Sequence, residues 1–191
     1  LAQRMRSSMS SASSRFWSTR PSGSQLAKAS SSAASVGSAR ALVGGARGVY
    51  GEEELQRSYG TVIGVPAERV LPTTDGMALA LAGRELVFLD TPGHARHHHC
   101  IWDARSQGFF SGDTFGLSYR EFDSAQGPWL LPTTTPVQFE PEALRASVQR
   151  LLGHRPRAMY LTHYGRVEGV ERLGAMFLEQ LDAMVALGES L

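Results

Sequence analysis

Residues 85–94 read Glu85-Leu-Val-Phe-Leu-Asp90 and then Thr91-Pro92-Gly93-His94, an apolar run that a Pro-Gly turn joins to a histidine. A short apolar run bounded by turn residues predicts a buried β-strand. Two later runs end in the same way, since Gly108-Phe-Phe-Ser-Gly112 precedes Asp113 and Ala158-Met-Tyr-Leu-Thr162 precedes His163. The sequence therefore predicts three strands, each followed by a polar side chain that can take part in chemistry.

His94, Asp113 and His163 are residue types that bind metal ions. Loops at strand ends are where a rigid sheet aims polar groups at one point, and Zn²⁺, Fe and Mn accept imidazole and carboxylate ligands. Each residue alone is more often an ordinary turn residue, because Pro-Gly and Ser-Gly-Asp-Thr are common turn sequences. Their joint occurrence, each after a β-type run, indicates a metal site.

The remaining patterns predict an α+β fold. Hairpins are indicated by apolar runs on both sides of short turn segments, and helices by apolar residues three and four positions apart. The predicted elements are hairpins over 77–89 and 98–110, a strand over 158–161, a strand and turn over 61–71, and helices over 50–59, over 140–153 and from about Glu168. The final helix carries an apolar stripe of Val170, Leu173, Phe177, Leu181 and Met184.

The charges divide the chain into two parts. The whole chain has 19 Lys and Arg, 18 Asp and Glu and a net charge of +1, but residues 1–40 hold six basic side chains and no acidic one. Residues 1–40 are also rich in serine and poor in large apolar residues, so we expect this segment to be disordered. Its composition is typical of an organelle transit peptide. A misread reading frame in the coding sequence would also explain it. Residues 41–191 form the predicted domain.

Composition also excludes several classes of protein. The weakly charged domain gives no support to a nucleic-acid partner, and no apolar run approaches the ~18 residues that span a bilayer. Cys100 is the one cysteine, so no intrachain disulfide is possible, and we expect it to pack as a small apolar group. We expect a cytoplasmic protein, or a mitochondrial or other organellar one if residues 1–40 are a transit peptide.

Three motifs resemble those of the metallo-β-lactamase superfamily, in a style closest to its glyoxalase II-like hydrolases. They are Thr91-Pro92-Gly93-His94 with His98, Ser111-Gly112-Asp113-Thr114, and Thr162-His163 after a strand. The resemblance implies an αββα sandwich with a metal site at one edge of its two sheets. It also implies that His94 binds a first metal ion, that Asp113 bridges two ions, that His163 binds the second, and that His98 supports the site.

The implied activity is hydrolysis of an ester, thioester, lactone or phosphoester by a metal-bound hydroxide, with two zinc ions, or Fe or Mn, as cofactors. A small-molecule substrate is expected, and the sequence leaves its identity and the oligomeric state open. Tyr164, beside His163, is expected either to hydrogen-bond a substrate or to pack as an aromatic residue at the edge of the sheet. The loop Thr133-Thr134-Thr135 is expected to border the pocket. His97 and His99 are expected to be surface or packing residues, and His154, at a helix end, is expected to have no catalytic role.

The sequence departs from the family in one respect. The principal motif of the family, His-x-His-x-Asp-His, is absent, because no histidine precedes His94. The first sheet of the sandwich also lacks most of its sequence, so we expect a fold that is incomplete in its N-terminal half. We therefore expect a truncated hydrolase with weak metal binding and impaired activity. The alternative is a non-catalytic binding protein that reuses the remnant of the fold.

Overall fold

A computed structural model of the protein describes residues 27–29, 35–61, 65–134 and 139–190. Its centre is a six-stranded sheet whose strands lie side by side in chain order. These strands are β3 (Ala78–Leu81), β4 (Arg84–Asp90), β5 (His99–Asp103), β6 (Gly108–Gly112), β7 (Ala158–Leu161) and β8 (Gly165–Glu168). The other elements are β1 (Ala27–Ala29), β2 (Val70–Pro72), α1 (Ser35–Tyr50), α2 (Glu52–Tyr59), α3 (Pro141–Gly153), α4 (Val170–Glu189) and 3-10 turns at Ala67–Arg69 and Arg120–Phe122.

The order and direction of the strands bring three strand ends to one edge of the sheet. Neighbouring strands are antiparallel except β6 and β7, which are parallel. Parallel neighbours require a crossover, and here the chain between β6 and β7 leaves the sheet to form a loop and α3. Because β4, β6 and β7 run in the same direction, the residues that follow them lie at the same edge.

The hydrophobic core lies between one face of the sheet and the helices α3 and α4. Each helix contributes apolar residues at i, i+4 and i+7 or i+8, and these positions are fully buried. They are Leu144, Val148 and Leu151 of α3 and Leu173, Phe177 and Leu181 of α4, which cluster with Phe109 and Met159 of the sheet. The predicted hairpins and the amphipathic character of both helices are confirmed.

The C-terminal region differs from the prediction in two details. The final helix begins at Val170 and not near Glu168, because residues 165–168 form β8 against β7. Only Val167 of this strand is buried and apolar, so the strand left no readable pattern in the sequence. Met184 is 38% exposed and lies at the edge of the predicted stripe.

The N-terminal region has regular structure inside the segment that composition predicted to be disordered. Residues 27–29 form β1, which pairs in parallel with β2, and α1 begins at Ser35 and continues past the predicted domain boundary at residue 41. Residues 1–26 and 30–34 lie outside the described residues, as do residues 62–64 of the predicted strand over 61–71. Within the described part, β1 and β2 are the whole of a second sheet, in line with the expected incomplete sandwich. None of the described helices has the length and apolar character that crossing a membrane requires.

Candidate metal centre

His94 lies in the turn after β4, and α3 holds this turn in place. The amide of Glu140 donates to the Gly93 carbonyl at 2.8 Å, and the Ser147 hydroxyl donates to the Pro92 carbonyl at 2.7 Å. Gly93 has φ +125°, and a Cβ at this position would collide with the backbone of Leu144. Only glycine allows the turn to lie this close to the helix, so the packing of α3 places His94.

Asp113 lies directly after β6 and is fixed through its backbone. Its amide donates to Nε2 of His98 at 3.0 Å, and its carbonyl accepts from the Thr133 hydroxyl at 2.7 Å. The preceding Gly112 has φ +53°, and a Cβ there would collide with the His98 ring. The close approach of His98 therefore depends on glycine at position 112.

His98 makes contacts within hydrogen-bond distance through both of its ring nitrogens. Nε2 accepts from the amide of Asp113, and Nδ1 lies 2.8 Å from the hydroxyl oxygen of Thr114. Burial, together with the neighbouring imidazoles, lowers the pKa of His98 to about 4. A neutral ring that accepts at Nε2 carries its proton on Nδ1. Both nitrogens of His98 are therefore engaged by other residues of the protein.

His163 and Tyr164 form the turn between β7 and β8. Arg120 holds this turn by donating to the carbonyls of Tyr164 at 2.8 Å and of Arg166 at 2.7 Å. The ring of Tyr164 packs on that of Tyr119, with centroids 4.6 Å apart, and lies 6.4 Å from the His163 ring. Burial, followed by interactions with Tyr119, raises the pKa of Tyr164, so its hydroxyl stays protonated.

The carboxylate of Asp113 lies between the two imidazoles. Nε2 of His94 is 3.6 Å from Oδ2, and Nε2 of His163 is 3.5 Å from Oδ1. Two ligands of one tetrahedral zinc ion lie about 3.4 Å apart when each bond is about 2.0–2.1 Å long. Oδ1 is buried and has no hydrogen-bond partner among the described residues. A buried, unsatisfied carboxylate oxygen is costly, and a cation would satisfy it.

The number of donors falls short of a complete catalytic site. The two imidazoles face opposite oxygens of Asp113, so each candidate metal position has one nitrogen and one oxygen. In the part of the chain that the structure describes, no group of three or more His, Cys, Asp or Glu side chains is arranged to hold one metal ion. A catalytic zinc usually keeps three protein ligands. The residues fit a metal in kind and spacing, but they supply only part of a coordination shell.

The other predicted residues lie away from the centre or border it. His97 is exposed, the His99 ring packs against Phe88, and His154 packs against Trp102 and Phe109. Thr133 contacts the site directly, with its hydroxyl 3.1 Å from Nδ1 of His94, while Thr135 lies outside the described residues. The sequence indicated that this loop borders the pocket but gave no signal that Thr133 links two of the predicted ligands.

Cys100, which the sequence predicts to pack in the sheet, is fully buried and accepts a hydrogen bond from the hydroxyl of Thr91. Thr114 also lies in this buried layer, within hydrogen-bond distance of Thr91. Burial raises the pKa of the Cys100 thiol to about 11. The thiol is therefore protonated near neutral pH in the metal-free protein.

Comparison with solved structures identifies proteins of similar fold. An archaeal metallo-beta-lactamase superfamily protein from Sulfolobus tokodaii is 23% identical with a TM-score of 0.62, and the match covers 81% of this chain and 57% of that protein. A metallo-beta-lactamase family protein from Thermus thermophilus is 24% identical with a TM-score of 0.47, over 60% of this chain and 36% of that one. A metallo-beta-lactamase from Pontibacter korlensis is 16% identical with a TM-score of 0.48, over 83% and 69%.

The likeness to the Sulfolobus tokodaii protein shows a shared fold and not a shared activity. The chain spans little more than half the length of the archaeal protein. No curated protein sequence matches it. The sequence model of the metallo-beta-lactamase superfamily matches residues 27–163, which is more than half of the chain and includes His94, Asp113 and His163. The chain therefore belongs to the metallo-beta-lactamase superfamily.

Proposed function

We propose that this chain carries part of the metal centre of a hydrolase, with His94, Asp113 and His163 as ligands. The observation that carries the proposal is the Asp113 carboxylate, which lies 3.5–3.6 Å from two imidazole nitrogens and has one buried oxygen without a hydrogen bond. Carboxylate and imidazole donors suit Zn²⁺, Fe or Mn. A bound metal of this kind would supply a nucleophile from water and polarise the substrate.

The residues of this chain would orient the ligands and receive the substrate. His98 holds the backbone of Asp113, and the α3 contacts hold the turn of His94. The His163 side chain is 44% exposed, whereas that of His94 is 13% exposed, so a small molecule would approach from the His163 side. The ring of Tyr164 lies 6.4 Å from that of His163, and the hydroxyl of Tyr164 would donate a hydrogen bond to a substrate oxygen in place of its hydrogen bond with Tyr119. Because each metal position has two donors from the described residues, we expect weak binding and low activity.

Metal binding by the full chain tests the proposal. We expect equilibrium dialysis with elemental analysis to detect zinc bound to the wild type, with at least about tenfold weaker binding in Asp113→Asn and His163→Ala. His97→Ala is the matched control, because His97 is an exposed histidine three positions after His94 in the sequence and is not one of the proposed ligands. Its zinc affinity should equal that of the wild type. Equal zinc binding by all four proteins would contradict the assignment of the ligands, and no zinc in the wild type would contradict the proposal.

Hydrolysis is a separate test. If the chain is a hydrolase, zinc should increase the cleavage of 4-nitrophenyl acetate or of an aryl thioester by the wild type. The Asp113→Asn variant should show no such increase. Metal binding without any metal-dependent cleavage of esters, thioesters, lactones or phosphoesters would remove the hydrolase assignment while leaving the metal centre.

A non-catalytic binding protein is the second candidate. It is favoured by one observation, namely that no three metal-binding side chains among the described residues are arranged around one ion. This candidate predicts that neither zinc nor substitution of Asp113 changes thermal stability. The metal-binding measurements therefore separate the two functions.

A further inference from the structure

Thr133 makes two contacts that connect different parts of the candidate centre. Its hydroxyl donates to the carbonyl of Asp113 at 2.7 Å, and the same oxygen lies 3.1 Å from Nδ1 of His94. The carbonyl of Thr133 lies 3.3 Å from that nitrogen. One residue of the loop between β6 and α3 therefore touches both the residue after β4 and the residue after β6.

These contacts determine which nitrogen of His94 carries the proton in the neutral ring. A carbonyl oxygen can only accept, and the one hydroxyl hydrogen of Thr133 is already donated to Asp113. Both oxygens of Thr133 must therefore accept from Nδ1–H of His94. The lone pair of the neutral ring then lies on Nε2, the nitrogen that is 3.6 Å from the Asp113 carboxylate.

We propose that Thr133 is a positioning residue that holds His94 in its Nδ1–H form and fixes the backbone of Asp113 beside it. Partners of this kind set the tautomer and the orientation of metal-binding histidines, and their loss typically weakens metal binding about 10- to 100-fold. The inference rests on the proposed function for its role toward a metal. The position of the proton on His94 is a property of the metal-free protein and does not depend on metal binding.

The matched variants are Thr133→Val, Thr133→Ser and Thr134→Val. Valine keeps the shape of threonine but has no hydroxyl, serine keeps the hydroxyl, and Thr134 is an exposed neighbour in the same loop. Thr133→Ala is a second variant without the hydroxyl, in case valine disturbs folding. Circular dichroism and the unfolding midpoint establish that each full-length variant is folded before it is compared.

The first measurement is the tautomer of His94 in the metal-free protein. Long-range ¹H–¹⁵N NMR near about pH 8, where an ordinary imidazole is neutral, reports which ring nitrogen is protonated, and His94→Gln identifies the signals. The Nδ1–H form should dominate in the wild type, Thr133→Ser and Thr134→Val. The Nε2–H form should become detectable in Thr133→Val and Thr133→Ala. An Nε2–H form in the wild type, or the same ratio in all variants, would overturn the proposal.

The second measurement is zinc affinity by titration calorimetry. We expect Thr133→Val to bind zinc at least about tenfold more weakly than the wild type, with Thr133→Ser and Thr134→Val within about twofold of it. Equal affinity in Thr133→Val would overturn the role of Thr133 toward the metal. If the wild type binds no zinc, the proposed function fails, and the NMR measurement alone decides the inference about His94.

Discussion

Asp113 contacts four other residues of the candidate centre. Its amide donates to His98, its carbonyl accepts from Thr133, and its two carboxylate oxygens face His94 and His163. These partners come from three segments of the chain, because His94 and His98 share the loop after β4, Thr133 lies in the loop after β6 and His163 lies in the turn after β7. The position of one carboxylate therefore depends on the packing of the whole sheet edge.

Gly112→Ala tests how closely this edge is packed. Alanine at φ +53° is strained, and its Cβ would displace the His98 ring that binds the Asp113 amide. We expect the free energy of unfolding to fall by about 1–3 kcal/mol, as measured by urea denaturation. Gly153→Ala in α3 is the control, because a Cβ there meets no atom within 4 Å. Equal stability of Gly112→Ala and the wild type would contradict the role given to His98.

At the scale of elements, α3 joins the core to the candidate centre. Its buried face packs on the sheet, while Ser147 binds the Pro92 carbonyl and Arg150 binds the Asp90 carbonyl at 3.1 Å. Arg150 also forms a two-bond ion pair with Asp75, with distances of 2.8 and 3.0 Å. The helix thus fixes both ends of the segment that leads from β4 toward His94.

Arg150→Met should raise the pKa of Asp75 toward its usual value. The hydrogen bond from Arg150, followed by the one from the Asp90 amide, holds this pKa below that value. The ion pair stabilises the fold above the usual pKa of an aspartate, and this stabilisation is lost as the pH falls through the lower pKa of the folded state. Both side chains are about half exposed, so the contribution is below about 1 kcal/mol.

Carboxyl ¹³C NMR titration measures this change. Arg145→Met serves as the control, because Arg145 lies on the same helix but pairs with Asp182 and Glu142. It should leave the pKa of Asp75 unchanged. An Asp75 pKa that is equally low in Arg150→Met would mean that Arg150 does not cause the shift.

The helix α4 offers a direct test of the core. Leu181 is fully buried and Leu187 is 64% exposed. Leu181→Ala should lower the free energy of unfolding by about 2–5 kcal/mol, because it leaves a cavity. Leu187→Ala should change it by less than about 0.5 kcal/mol. Chemical denaturation of both variants measures the difference, and similar losses would show that α4 packs on the sheet through a different face.

At the scale of the whole molecule, a metal ion bound at this edge of the sheet would affect both the chemistry and the stability of the domain. The three candidate ligands come from turns after β4, β6 and β7, and a metal ion bound between them would tie these turns together. Such an ion would bind the folded chain and not the unfolded one. Zinc should therefore stabilise the whole domain and not only the loops.

Zinc should raise the melting temperature of the wild type. At a concentration about 100 times the dissociation constant, binding adds about 2.7 kcal/mol, which corresponds to about 5–10 °C for a chain of this size. Asp113→Asn should show little or no increase in differential scanning calorimetry. An equal increase in both proteins would mean that zinc binds at a different place.

Much of the fold could be predicted from local patterns. The turn residues 82–84 and the apolar runs beside them predicted the β3–β4 hairpin, and the apolar stripes predicted α3 and α4. β8 was missed because Val167 is its one buried residue, and α1 was missed because serine, alanine and glycine give no helical stripe. Backbone hydrogen bonds to the neighbouring strand β7 stabilise β8, and this pairing leaves no pattern of apolar side chains in the sequence.

The sequence by itself determined the three strand-to-turn motifs, the family resemblance that they carry and the absence of histidine before His94. It did so because short apolar runs and turn residues act within a few positions of the chain. Only the tertiary structure placed Asp113 between two imidazoles and Thr133 against His94. Those contacts join residues that are far apart in the sequence, so they exist only once the crossover between β6 and β7 has brought the strand ends together.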